Sequence, residues 1–277
     1  DLDGLGADNL LSQHLFAESQ RLAYADREAY GADSDYEDVP VDGLLSDGYI
    51  AARSALIRID RAMEQVVAGV PEGVKPRVAV PLANIPATTH FVTADRGGNV
   101  ASFTNTIESS FGSGLMAGGF MLNNELTDFD FAPEKADGSD AMNSVQGGKR
   151  PRSSMTPTIV FDESGKPLAA FGAAGGATIL AQVAKALIAY LDWGMSVEDA
   201  LAAPQLLADR NGVLLEEGTR LAGMAAGLQA LGHGNVRVRR LPIKLNGLVR
   251  VEQGWRGAAD PRSEGRALAI SAAAGGK

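Results

Sequence analysis

A stretch crowded with proline and glycine, followed at once by a strand pattern, most constrains how this 277-residue chain can fold. Residues 69–86 contain prolines at four positions and glycines at two, which rules out a regular helix or a central strand there. Two short strands are predicted after it, over 90–94 and 100–106, and a turn rich in Gly and Asn joins them. We therefore predict an accessible linker that ends at a β-hairpin, with Thr88 at the beginning of the first strand.

A threonine at this boundary has a specific chemical potential. Its hydroxyl is a poor nucleophile until a base removes the proton, and the residue's own α-amine can act as that base once the preceding peptide bond is cut. An α-amine titrates near ~8, whereas a backbone amide nitrogen is not basic. Scission between Ala87 and Thr88 would therefore activate Thr88, and an exposed linker is a suitable place for it.

The remaining periodicity predicts alternating groups of helices and strands. Apolar spacing predicts helices over 8–30, 47–63, 178–193 and 197–203, and strands over 159–161, 168–171, 236–241 and 248–253. Asp8 is the expected cap of the first helix. Elements in this order are typical of stacked layers in an α/β (α+β) protein. The Ala/Gly-rich end, 272–277, is expected to be disordered.

Composition excludes several classes of function. The formal charge of −9 argues against binding to phosphate backbones, so nucleic acid is not an expected partner. Cysteine is absent and the three histidines, His14, His90 and His233, are scattered, so no metal site is expected. No apolar run reaches the ~18 residues that a membrane span needs, and the start of the chain lacks the pattern of a signal peptide.

Six short motifs, in this order, give the sequence a family resemblance. They are Thr88-Thr89-His90-Phe91, Asp95 with Gly98-Asn99, Phe111-Gly112-Ser113-Gly114, Leu122-Asn123-Asn124-Glu125-Leu126-Thr127-Asp128-Phe129, Lys149-Arg150-Pro151-Arg152-Ser153-Ser154-Met155, and Gly172 through Gly176. Together they resemble the γ-glutamyltransferase (glutathione hydrolase) family of N-terminal-nucleophile hydrolases. The resemblance extends to residues 23–27, which are similar to the late part of the family's large subunit, and to 257–262, which are similar to its closing segment.

The resemblance implies a four-layer αββα sandwich with two central sheets. Residues 1–87 would be the C-terminal part of the large subunit and 88–277 the small, catalytic subunit, packed together as one domain. The front of the large subunit would be a missing portion and therefore a partner. Any address signal would lie in that portion, so the family implies a periplasmic or secreted protein.

The resemblance also implies the catalytic groups. Thr88 would be the nucleophile, and the hydroxyl of Thr106 would hydrogen-bond it. The backbone N–H groups of Gly175 and Gly176 would form an oxyanion hole, a role that suits glycine because the backbone can approach a ligand closely. Many relatives have proline before this pair, where the present chain has Ala174. No cofactor is implied.

The substrate-binding residues follow from the same comparison. Ser153 and Ser154 would hold the α-carboxylate of the substrate, together with an arginine from the missing front. Glu125 and Asp128 would bind the α-ammonium through charge-assisted hydrogen bonds. Glu108 stands where many relatives have asparagine, and a third carboxylate would either strengthen cation binding, crowd like charges and raise a pKa, or indicate a different acyl substrate.

Each of these residues has an ordinary structural interpretation as well. A threonine can simply begin a strand, a Gly-Gly pair can be a turn, serines can punctuate a loop and acids can be solvated surface. His90 is expected to be a structural imidazole, because the α-amine would act as the base.

Three functions are compatible with the sequence. The first is hydrolysis or transfer of a γ-glutamyl group from a small molecule such as glutathione, with water or an amino acid as acceptor. The second keeps the chemistry but changes the acyl group, as in cephalosporin or glutaryl acylases. The third is an inert, truncated or uncleaved chain that contributes only a folding or assembly surface.

Overall fold

The computed structural model describes residues 2, 4–77, 88–134, 138 and 140–269. The helices are α1 (Leu10–Tyr30), α2 (Val41–Leu44), α3 (Asp47–Ser54), α4 (Ile179–Leu191), α5 (Val197–Ala202) and α6 (Ala225–Ala230). The strands are β1 (Thr88–Ala94), β2 (Val100–Thr106), β3 (Met116–Ala117), β4 (Phe120–Met121), β5 (Thr158–Phe161), β6 (Pro167–Ala174), β7 (Leu206–Asp209), β8 (Gly212–Glu216), β9 (Val236–Arg239), β10 (Lys244–Val251) and β11 (Gly254–Ala259). Short 3-10 helices cover Glu125–Asp128, Gly176–Thr178 and Arg220–Met224.

A four-stranded antiparallel sheet in the order β11-β10-β6-β5 forms the centre of the fold. Side chains on a strand alternate between its two faces. One face of β6 and β10 joins the main core with helices α4 and α5. This core contains Ala169, Phe171, Ala173, Ile179, Val183, Val197, Leu201, Leu245 and Val249, among others.

The β1–β2 hairpin packs on the opposite face of this sheet. A Cβ atom at Gly172 of β6 would overlap the imidazole of His90, so only glycine allows the hairpin to approach this closely. Asn246, which pairs with Gly172 in the register of β10 and β6, donates from Nδ2 to the backbone oxygen of His90 at 2.7 Å. The sheet therefore fixes the position of β1 two residues beyond Thr88.

A second core lies between α1 and a three-stranded sheet in the order β7-β8-β9. Phe16 and Ala17 of α1 pack there with Leu206, Leu215 and other residues of that sheet. Gln20 of α1 adds two hydrogen bonds to β7, donating to the oxygen of Leu206 at 3.2 Å and accepting from the N–H of Ala208 at 3.0 Å. Helix α1 is thereby joined to the part of the chain that follows Thr88.

The predicted helices are confirmed where local signals decide them. The first begins at Leu10, and its cap is Asn9 rather than the expected Asp8, because the Asn9 side chain accepts from the N–H of Leu11. The predicted helix over 47–63 is wrong beyond Ser54. There the backbone bonds to distant groups instead, since the oxygen of Arg58 contacts His14 and the N–H of Met63 donates to Glu18.

Among the described elements, helices α4 and α5, the four-stranded sheet and the β1–β2 hairpin are stacked in that order. Phe91 and Phe103, which contact each other on the outer face of the hairpin, are each 50% exposed in the described structure. Residues 78–87, which include most of the predicted linker and Ala87, lie outside the described residues, as does the predicted disordered end. None of the helices described is both long and apolar enough to cross a membrane.

A buried lysine makes the stability of this fold depend on pH. Lys185 of α4 is 2% exposed, donates to Oε1 of Gln13 at 2.8 Å and lies over the ring of Phe16. Burial, with a smaller contribution from the charge of Arg220, lowers the pKa of Lys185 to about 7. In an unfolded chain a lysine titrates near ~10.4.

We expect the free energy of unfolding to rise between about pH 7 and pH 10, because the unfolded chain there holds a proton on Lys185 that the folded chain has lost. Lys185→Met should flatten that rise, whatever it does to the absolute stability. Urea unfolding at several pH values measures it, with the exposed Lys166→Met as the control. An unchanged pH slope in Lys185→Met would contradict this prediction.

Candidate active site

Two threonine hydroxyls meet where the hairpin strands end. Thr88 and Thr106 are directly paired in the antiparallel register of β1 and β2, and their Oγ1 atoms are 3.2 Å apart. Thr106 Oγ1 also accepts a hydrogen bond of 2.8 Å from the backbone N–H of Glu108. Thr88 is 9% exposed. The hydroxyl of Thr88 is therefore held in place by a partner that is itself fixed by the backbone.

The glycine pair lies in the turn between β6 and α4. Gly175 and Gly176 have φ values of 138° and 60°, which side-chain-bearing residues rarely adopt. A Cβ at Gly175 would also collide with Thr178 and Gln182. The pair precedes α4, and the N-terminus of a helix favours negative charge because its N–H groups are unpaired. This turn can therefore donate to an oxyanion.

His90 is placed to support the hairpin rather than to act as a base. Its Nδ1 atom is 2.7 Å from Oγ1 of Thr104, and its imidazole lies against Gly172. Burial lowers the pKa of His90 to about 4. The imidazole is therefore neutral near pH 7, in agreement with the structural role expected of it.

Glu108 is bound into the loop that follows β2. Its φ is 72°, an unusual value for a residue other than glycine. Its Oε2 atom accepts from Nδ2 of Asn124 at 2.5 Å and from Oγ of Ser109 at 2.8 Å. The side chain thus fixes the loop that carries the next two acids, and its backbone N–H fixes Thr106.

Glu125 and Asp128 lie on the 3-10 helix that follows Asn124, and their carboxyl groups interact. Burial raises the pKa of Glu125 to about 7, and the charge of Asp128, its hydrogen bond and the charge of Glu108 add to the effect. Burial also raises the pKa of Asp128, against the attraction of Arg27 and Arg152. Three of the predicted acids are therefore close enough to influence one another, and a cation would relieve their repulsion.

The serine pair lies beside two arginines. Arg27 of α1 donates from Nη2 to Oγ of Ser154 at 2.8 Å and to the backbone oxygen of Ser153 at 3.1 Å. The side chain of Arg152 is 6% exposed and is 3.5 Å from Asp130. A cleft of about 320 Å³ is lined by Arg27, Gly31, Arg152 and Ser153, among other residues.

Helix α1 also supports the glycine turn. Tyr24 donates its hydroxyl to the backbone oxygen of Ala177 at 2.5 Å. Tyr24 and Arg27 are three residues apart and so lie on one face of the helix. Neither residue was given a role from the sequence. Two signals could have identified them: both belong to the 23–27 segment that carries the family resemblance, and both lie on one helix face.

The structure therefore brings the predicted residues into three neighbouring groups. The threonine pair and Glu108 share one hydrogen-bond network. Glu108 interacts with the acids of the 3-10 helix, and Asp128 in turn interacts with the arginines beside the serine pair. The glycine turn follows β6, the strand on which β1 packs. Within the described ranges, no set of three or more His, Asp or Glu residues is arranged to hold a metal ion.

The stacked sheets and the threonine at the beginning of β1 define the class, an α+β protein with the N-terminal-nucleophile hydrolase fold. The profile of the gamma-glutamyltranspeptidase family matches residues 2–270, and the chain belongs to that family. The resemblance and the fold class predicted from the sequence are thereby confirmed.

Individual relatives agree with this membership. The chain is 36% identical to the glutathione hydrolase proenzyme of Bacillus subtilis (strain 168) over 93% of this chain and 44% of the relative. It is 32% identical to the acylase ACY 1 proenzyme of Pseudomonas sp. (strain SE83) over 98% of this chain and 46% of the relative. The chain thus spans less than half the length of these two relatives.

Solved structures show the same relationship. A T380A mutant of the gamma-glutamyltranspeptidase of Helicobacter pylori superposes with a TM-score of 0.57 and 30% identity, covering 63% of this chain and 100% of the other. The cephalosporin acylase of Bacillus halodurans superposes with a TM-score of 0.80 over 96% of this chain and 46% of the other. The identity there is 23%, so this second likeness supports the fold alone.

Removing the charge of Glu108 should lower the pKa of Glu125. Glu108→Gln keeps a side-chain oxygen that can accept from Asn124 and Ser109, and it removes one of the charges that raise the pKa of Glu125 from its ordinary value to about 7. Carbon-13 NMR titration of the Glu125 carboxyl group measures the shift. The exposed Glu163→Gln is the control. If Glu125 titrates identically in wild type and Glu108→Gln, the proposed interaction is absent.

Proposed function

We propose that the protein hydrolyses or transfers γ-glutamyl groups through a threonyl acyl-enzyme. The observation that carries this proposal is the contact between the Thr88 and Thr106 hydroxyls at the start of β1, in a chain of the gamma-glutamyltranspeptidase family. Because the chain spans less than half the length of the proenzymes it matches, activity and substrate are inferred for the whole protein.

The reaction begins after scission between Ala87 and Thr88. The α-amine of Thr88 accepts the proton of its own hydroxyl, and Oγ1 attacks the γ-amide carbon. The N–H groups of Gly175 and Gly176 stabilise the oxyanion, a contribution of ~3–4 kcal/mol per donor in comparable sites. The C–N bond breaks, and the leaving amine takes the proton from the α-amine. Water or an amino acid then cleaves the ester and regenerates Thr88.

The proposed division at residue 88 is supported by the lengths of solved relatives. In the Helicobacter pylori structure, a complete polypeptide corresponds to 63% of this chain, and in that from Pseudomonas nitroreducens to 66%. Residues 88–277 make up about two thirds of the sequence. Residues 1–87 would then remain as the end of a large subunit, in contact with the small one through α1.

The charges around the site favour a γ-glutamyl substrate. Its α-ammonium would be received by Glu108, Glu125 and Asp128, whose mutual repulsion a cation relieves. Its α-carboxylate would be received by Ser153 and Ser154, which lie beside the positive charge of Arg27. A glutaryl group has no ammonium and would leave the acids unpaired.

An acylase is the second candidate, because the acylase ACY 1 proenzyme matches nearly the whole chain. It would use the same nucleophile and glycine turn with a different acyl group. We also infer that the protein works in the periplasm or outside the cell, together with the missing portion of the large subunit, and this rests on family membership.

Thr88→Ala should abolish both self-cleavage and turnover, because it removes the only nucleophile in this mechanism. Thr88→Ser should retain measurable scission and activity, since it keeps a hydroxyl and an α-amine. Mass spectrometry of the purified protein detects a fragment beginning at residue 88, and hydroxylamine traps the acyl-enzyme. Activity in an unbroken chain, or turnover by Thr88→Ala, would refute the mechanism.

The acyl specificity is tested by comparing γ-glutamyl anilide with glutaryl anilide. We expect kcat/KM to be at least about tenfold higher for the γ-glutamyl compound, since charge-assisted hydrogen bonds contribute ~1.5–3 kcal/mol. Glu108→Gln should reduce the ratio of kcat/KM for γ-glutamyl anilide to kcat/KM for glutaryl anilide, and Glu163→Gln should leave that ratio unchanged. A preference for glutaryl anilide would favour the acylase instead.

A further inference from the structure

Arg27 makes an unusual set of contacts for a partly buried cation. Its Nη2 atom is bound to Ser154 and Ser153, whereas Nη1 is buried and has no hydrogen-bond partner in the described parts of the chain. No described carboxylate forms an ion pair with Arg27 within 4.0 Å. The charge that influences it most strongly is another cation, Arg152.

The chemistry of the hydrogen bond determines how Ser154 is oriented. A guanidinium has donors and no acceptor, so Oγ of Ser154 must accept from Arg27. The hydroxyl proton of Ser154 cannot be used in that bond and must point elsewhere. Arg27 therefore turns Ser154 into a donor directed away from α1.

The charges around the same contact favour the binding of an anion. A buried charge is costly unless it is paired. Arg27 and Arg152 repel each other, and burial and this repulsion together lower the pKa of Arg27 to about 10. Glu28 and Asp128 attract Arg27 without forming an ion pair with it, and a carboxylate bound to the serine hydroxyls would supply a nearer negative charge.

We propose that Arg27 is a positioning residue for substrate: it fixes the Ser154 hydroxyl as a donor to the substrate's carboxylate and holds a positive charge behind it. This rests on the proposed γ-glutamyl function. Arg27 belongs to α1, in the segment before the scission site, and its positioning role would add to that of the arginine expected from the front of the large subunit. The large-subunit segment would then contribute directly to substrate affinity, in addition to its contribution to the core.

The test compares variants of the full-length protein on two substrates. Arg27→Met should raise KM for γ-glutamyl anilide about tenfold to a hundredfold with little change in kcat. It should leave KM for 4-aminobutyryl anilide unchanged, because that compound lacks the α-carboxylate. Arg27→Lys, which keeps the charge and one donor, should restore part of the affinity and also serves as the folded variant if Arg27→Met misfolds. Arg256→Gln, at an exposed ion pair on β11, is the control.

A double-mutant cycle separates positioning from a general structural role. If Arg27 acts through Ser154, adding Arg27→Met to Ser154→Ala should raise KM much less than it does in wild type. An equal rise in KM for both substrates would overturn the proposal. So would a double variant in which the rise in KM equals the product of the rises in the two single variants.

The proposed γ-glutamyl function has its own test, which is independent of Arg27. It is wrong if wild type gives no fragment beginning at Thr88 and no hydroxylamine-sensitive adduct. In that event the role of Arg27 is tested by calorimetry, which measures the binding of L-glutamate to wild type and to Arg27→Met. Weaker binding by Arg27→Met than by wild type supports the positioning role, and either equal binding or no binding to wild type overturns it.

Discussion

The close contact between His90 and Gly172 is the constraint on which the site depends. The imidazole occupies the space that any side chain at Gly172 would need, and the backbone of His90 is bound by Asn246 from the adjacent strand. Because the imidazole is partly buried and neutral, it packs without a charge to solvate. The hairpin therefore has a single position on the sheet, and Thr88, two residues before His90, is held near the strand that leads to the glycine turn.

Helix α1 is the second element that holds the parts of the site in position. One helix contacts the glycine turn through Tyr24, the serine pair through Arg27 and the β7 strand through Gln20. Arg150 adds another link after α1, since it bonds through both its backbone and its guanidinium to Asp33. These contacts join the segments before and after the proposed scission site. Cutting the chain at residue 88 would leave them intact, so the two products would remain associated.

The sequence predicted those features that local patterns or motifs determine. The helix predicted over 8–30 and the hairpin predicted over 90–106 follow from periodicity and turn chemistry, and the structure has them at 10–30 and 88–106. The helix predicted over 47–63 was too long because long-range bonds to Glu18 and His14 stabilise an irregular backbone after Ser54. Periodicity contains no information about such partners.

The candidate site also combines residues that sequence motifs predicted with residues whose roles depend on long-range contacts. The motifs predicted Thr88, Thr106, the glycines, the acids and the serines, and the structure places them in neighbouring groups, while their roles remain predictions. The sequence did not assign roles to Tyr24 and Arg27, because their importance comes from contacts with residues about 130 to 150 positions further along. It also treated Glu108 only as a binding group, whereas its backbone N–H supports Thr106.

The proposed function requires that one site select a small zwitterion, and the arrangement of charge is suited to this. Burial raises the pKa of Asp128, and the attraction of Arg27 and Arg152 opposes that rise. A substrate that brings both an ammonium and a carboxylate replaces each protein group's distant counter-charge with a nearby one. A substrate with only one of the two charges leaves half of the site unpaired in a partly buried environment, where unpaired charge is costly. Under the proposed function, selectivity for the γ-glutamyl group would follow from the separation of the acids and the arginines, which is fixed by α1 on one side and by the Glu108–Asn124 contact on the other.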